Sequence, residues 1–210
     1  FPTLSRVSAG EKAENTTSIP VFFRKYPVYC VCLLGIAFLG MYHAMTENYL
    51  IAILGALGGD SSHVGRALFI SAMVGAPVIF CFSKIRTLAR DTTLLKIAAL
   101  SFLIKAVCFC FAGSIPTIYF LQLLQITSYG LLAPAQVYYA QARVNPSDMV
   151  KGQAFITAAY ALGCSGGNFA GGQLLGIGVR ALLLAGVAMA LAGTCIVFAT
   201  VNRPEKAAAM

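Results

Sequence analysis

The sequence predicts an all-α integral membrane protein of six transmembrane helices. Three observations lead there. The 210-residue chain is 59% hydrophobic and 10% charged, whereas soluble domains sit nearer 45–50% and 25%. The apolar residues fall in blocks long enough to cross a bilayer, which takes about 20 residues per helix. Those blocks are unbroken and lack two-residue alternation, so they read as helices rather than strands.

Residues 1–25 form a polar linker with no basic-then-apolar leader pattern, and the chain opens at Phe1 as if continuing from something longer. Arg24 and Lys25 precede Tyr26 and Pro27, and proline suits a first helical turn because its missing N–H costs nothing there. The first span covers 27–56, and Gly58, Gly59 and Asp60 turn the chain. A second span, 64–84, carries Pro77 as an expected kink. A basic loop, 83–91, leads to the third span at 93–112. The fourth, 116–141, contains Pro134. Asn145, Pro146, Ser147 and Asp148 supply turn and capping chemistry before the fifth span at 149–175. The sixth, 178–201, stops at Asn202, Arg203 and Pro204. The expected division is therefore linker 1–25, bundle 26–202 and tail 203–210.

Net charge +8 would suggest nucleic acid binding in a soluble protein. Here lysine and arginine placement gives another reason. Arg6, Lys12, Arg24, Lys25, Lys84, Arg86, Arg90, Lys96, Arg143, Lys151, Arg203 and Lys206 share one side of a six-span topology, and only Arg66 and Arg180 lie on the other. Both termini are expected to be cytoplasmic, with no nucleic-acid partner. The seven cysteines all lie in apolar runs and show neither disulfide nor zinc spacing; they read as small buried hydrophobes.

Ionisable and amide side chains inside the spans are the functional candidates, because such groups are costly in a bilayer and normally face a partner or a cavity. His43 and Glu47 lie four apart, hence on one helix face, and Asn48 follows. Lys105 is ~16 Å into its span, near mid-membrane. Gln122, Gln125 and Tyr129 share a face of the fourth span, with Gln125 level with Lys105. Glu47 is ~30 Å beyond Pro27, which puts it on the outer wall of the pathway and leaves the centre to Lys105 and Gln125. Spans one and four are equivalent if the six divide as three plus three, the repeat from which many transporters build a midplane site. Ala159, Gly163, Gly167 and Gly171 give the fifth span a smooth groove for close packing. Gly163, Cys164, Ser165 and Gly166 resemble a rhomboid-protease nucleophile motif, but both histidines, His43 and His63, precede Ser165, so that chemistry lacks its base.

The pattern resembles the C-terminal six-helix half of a major facilitator superfamily transporter, nearest the lactose-permease-like and oligosaccharide or nucleoside:proton symporter branch. The carriers are Gly40, Met41, Tyr42, His43, Asn48 and Tyr49, then Lys105, the run 120–130, and Lys151, Gly152 and Gln153. Gln125 stands where members commonly have histidine, and no carboxylate lies near Ser128. The resemblance implies a 3+3 inverted-repeat half-fold in the plasma membrane, with residues 1–25 as the central loop and an N-terminal six-helix half as the missing partner. It also implies alternating access without a cofactor or enzymatic step. Asn48, Lys105, Gln122, Gln125 and Tyr129 would bind a small polar solute such as a sugar or nucleoside, and His43 and Glu47 would carry the proton. The alternatives are a six-helix sensor or assembly subunit without transport, or a small transporter complete as a homodimer.

Overall fold

The computed structural model describes residues 18–203. Most of the expected linker, with Arg6 and Lys12, and the tail beyond 203, with Lys206, lie outside the described residues. Every regular element among the described residues is helical. In chain order these are α1 (Ile19–Lys25), α2 (Pro27–Glu47), α3 (Leu50–Gly55), α4 (Ser61–Phe80), α5 (Phe82–Ile85) and α6 (Asp91–Cys110). Then come α7 (Ile115–Gln122) with a 3-10 turn at Leu123–Gln125, α8 (Tyr129–Arg143), a second 3-10 turn at Pro146–Asp148, α9 (Met149–Leu175) and α10 (Val179–Thr200).

Local chemistry sets the ends. Pro27 opens α2. Asp60 caps α4 by accepting from the Ser62 and His63 amides, and His63 reaches back to the Asp60 N–H. These bonds satisfy N–H groups that the first helical turn leaves orphaned. Gly58 (φ +80°) and Gly178 (φ +140°) make the turns before α4 and α10, in a backbone region that favours glycine.

Four helices are long and apolar enough to cross a membrane: α2, α4, α6 and α10. The other two predicted spans are built differently. α9 is 27 residues long, but its glycines and amides dilute its hydropathy. The fourth span is broken.

Span two, expected over 64–84, is also interrupted, at Cys81 between α4 and α5; the departures in spans one and four have a visible cause. The first span, expected unbroken over 27–56, stops at Glu47 and restarts at Leu50. There the Asn48 amide donates to Asn168 Oδ1 (2.7 Å) and the Tyr49 hydroxyl to the Asn168 carbonyl, so α9 holds the break. The fourth span, expected unbroken over 116–141, becomes α7, a 3-10 turn, three turn residues and α8. Thr127 and Ser128 hydroxyls both bond the Leu124 carbonyl (3.4 and 2.8 Å), the side-chain competition that loosens helices. Pro134 lies past this break, inside α8, which runs on through the proline.

α2 is the hub, packed against α9 on one side and α10 on the other. A Cβ on Gly163 or Gly167 would run into the α2 backbone at Ala37 or Met41, and one on Gly193 would sit 2.9 Å from the Gly35 carbonyl. Glycines on α9 and α10 therefore let three helices approach backbone to backbone. α6 packs on α10 and α8, and α4 on α8. The buried apolar residues form two separate cores. The larger includes Tyr29, Ile36, Phe102, Leu132 and Val197. The smaller holds Leu50, Ile53, Leu54, Ala67, Phe109 and Ile118. None of the seven cysteines forms a disulfide; Cys32 is buried, but Cys81 and Cys195 are exposed rather than core.

Candidate functional site

Between the two cores lies a knot of polar side chains. Lys105, 2% exposed, enters from α6. Its Nζ donates to Glu47 Oε1 at the end of α2 (2.7 Å), to Gln122 Oε1 at the end of α7 (2.8 Å) and to Gln125 Oε1 in the 3-10 turn (2.9 Å). An ammonium has three N–H groups, so Lys105 is fully engaged. Gln122 and Gln125 are buried, and the Gln122 amide lies 3.5 Å from Glu47 Oε2.

The break in span four makes this possible. In an unbroken α-helix, residues three apart point in directions some 60° apart; the tight 3-10 turn brings both amide oxygens onto one nitrogen. Sequence spacing put Glu47 on an outer wall, away from a central Lys105. The structure joins them instead, because α6 begins at Asp91 and carries Lys105 ~21 Å along its axis, against ~30 Å for Glu47 on α2. Two flexible side chains close the remainder.

One turn from the knot, His43 stacks on Tyr129 (ring centroids 4.8 Å apart, planes 13°) and meets Phe102 edge-on at 5.7 Å. Tyr160 of α9 completes the wall, 6.2 Å from His43 and 5.9 Å from Tyr129. Among the described residues no protein group hydrogen-bonds the His43 ring. Asn48, the remaining candidate, belongs to the neighbouring break and is engaged with Asn168. Phe102, Tyr160 and Asn168 were not candidates from sequence. Phe102 could have been found, since it precedes Lys105 by three residues and so shares its face; Tyr160 and Asn168 sit beside the small-residue stripe of α9 and carry no signal of their own.

At the opposite end a second network ties α1 to the loop before α9. Asp148, wholly buried, accepts from Lys25 (2.9 Å) and the Tyr26 hydroxyl (2.9 Å), and Tyr26 accepts from the Asn145 amide (3.0 Å). The bonds to Asp148 and Tyr26 raise the Lys25 pKa above its ordinary value. In the basic loop Arg86 holds Asp91 through two bonds (2.7 and 3.0 Å) while lying over Tyr138. The Ser165 hydroxyl bonds the Ala161 carbonyl of its own helix (3.1 Å). Among the described residues no cluster of His, Cys, Asp or Glu could hold a metal ion.

A family model described as the MFS_1 like family matches residues 6–184. No curated protein matches the chain.

Proposed function

Since the chain belongs to the MFS_1 like family, a family of multi-pass membrane transporters, we propose that it is the C-terminal six-helix half of a proton-coupled secondary transporter. It carries a small polar solute such as a sugar or nucleoside by alternating access. In this reading the six segments divide three plus three, both ends face the cytoplasm, and the membrane is the plasma membrane. An N-terminal six-helix half supplies the other wall of the cavity. Lys105, Gln122, Gln125 and Tyr129 contact solute, Glu47 and His43 handle the proton, and Asn48 acts at the helix break beside them.

The observation that carries the reading is the buried Lys105–Glu47 pair with its two amides. A buried ion pair is balanced only while both partners are charged, and stranding one costs several kcal/mol. Protonating Glu47 therefore leaves Lys105 seeking a new acceptor, and a solute can be that acceptor. Proton and solute are then coupled through one nitrogen atom. The test uses the full chain in lightly buffered proteoliposomes, challenged with sugars and nucleosides. Glu47→Gln should abolish solute-driven proton uptake; uptake equal to the parent would remove Glu47 from the coupling. A second reading draws on the same saturation of Lys105: a purely structural ion pair in a membrane protein without transport, for which no solute would accumulate with the parent or with Glu47→Gln.

A further inference from the structure

Three of the expected spans each contribute to the knot and to the wall beside it. On α2 these are Glu47 and His43, on α6 Lys105 and Phe102, and in span four Gln122 and Gln125 with Tyr129. Continuous helix holds the first two pairs each on one face, and the turn at 126–128 carries Tyr129 back against His43. Phe102 is wholly buried and forms the floor, whereas His43, Tyr129 and Tyr160 are only partly buried, so the wall has an open side. A cationic head and a flat aromatic face thus meet in one place.

The saturation of Lys105 restricts what can bind. All three donors are occupied, so an acceptor can reach Nζ only by displacing one already present. The amides of Gln122 and Gln125 are neutral, and replacing either with an anion would leave two negative groups on one cation. Two carboxylates crowded at one site do not both stay ionised. Displacing Glu47 as it takes up a proton keeps the balance.

We propose, resting on the transporter reading of this site but replacing its sugar or nucleoside with another class of solute, that the solute is a small organic carboxylate with a flat apolar body. Its carboxylate replaces that of Glu47 on Lys105 while one proton from solution neutralises Glu47, and its body lies against His43, Tyr129 and Tyr160. No covalent bond changes. The site is neutral before (Lys105 cation, Glu47 anion) and after (Lys105 cation, solute anion, Glu47 acid). The titratable groups facing Glu47 are Lys105 from α6, His43 and Tyr42 from α2, and Tyr160 from α9; none of these is a second carboxylate.

The probe is benzoate, with benzamide as its uncharged counterpart, titrated by calorimetry into the purified full chain between about pH 5.5 and 8. Linkage of one proton to one anion predicts that benzoate Kd weakens about tenfold per pH unit where Glu47 is ionised. Glu47→Gln should bind benzoate without that slope and at least tenfold more tightly than the parent at the alkaline end. The double variant Glu47→Gln, Lys105→Gln keeps the knot neutral, so that its folding is retained, and should lose benzoate binding by at least tenfold. Benzamide binding as tight as benzoate, a flat pH profile in the parent, or failure of Glu47→Gln to bind benzoate would each overturn the proposal. If benzoate fails while proteoliposomes still couple protons to a neutral solute, the anion inference falls and the transporter reading stands. If both fail, both are lost.

Discussion

Lys105 is held by three acceptors from three separate elements, so its replacement is felt by all of them. Lys105→Met removes the charge but leaves the Glu47 carboxylate inside the molecule without its cationic partner, with only the Gln122 amide near it. We expect a loss of about 3–5 kcal/mol, the usual cost of breaking a buried ion pair from one side. Adding Glu47→Met should restore much of it, since a well-packed apolar replacement of both partners is often neutral or better. Thermal unfolding in detergent measures both; a double variant less stable than the single would contradict this account. These two charges were legible in the sequence because ionisable groups inside apolar runs are rare. The rings beside them were not, because a phenylalanine or tyrosine in such a run is ordinary filling.

At the scale of elements, the seating of α2 between α9 and α10 depends on the absence of side chains at a few positions. Gly163 meets the α2 backbone, which cannot yield, whereas Gly166 looks only toward the Met41 side chain at 3.7 Å. Gly163→Ala should therefore cost about 1–3 kcal/mol, the range for overpacking, and Gly166→Ala should be close to neutral by the same melting measurement. Equal effects would mean that the groove is not set by backbone contact. The four-residue stripe of small residues announced this packing in the sequence, and the structure supplies its partner. The helix breaks were harder to read. Asn48, Thr127 and Ser128 are unremarkable in apolar runs until their acceptors, on α9 or one turn back, are known.

Across the whole molecule, a polar layer separates a large apolar core from a small one, and the breaks in spans one and four fall at that layer. Composition and block length carried the all-helical membrane class directly, because the bilayer imposes both. They did not carry the partition of the core, which depends on where long side chains meet. The proposed orientation can be checked on the intact chain with its native cysteines replaced. A cysteine at exposed Thr87 should react with an impermeant maleimide only from the cytoplasmic side, and one at exposed Ser114 only from outside. Labelling of both from one side would reject that topology.

The Lys105–Glu47 pair also has a history, because ribosomes deliver its members in order. Glu47 emerges 58 residues ahead of Lys105, and the two amides follow later still. During synthesis the acid reaches the translocon before its base exists, and the base before its amides. Lysine at a helix centre costs roughly 2.5–3.5 kcal/mol on insertion, a cost that its upstream carboxylate can offset only if α2 is still close by when α6 arrives. The early helices should then leave the translocon together rather than singly. In microsomes carrying glycosylation reporters, Glu47→Leu should lower the fraction of α6 that integrates, even though α2 itself has become more apolar.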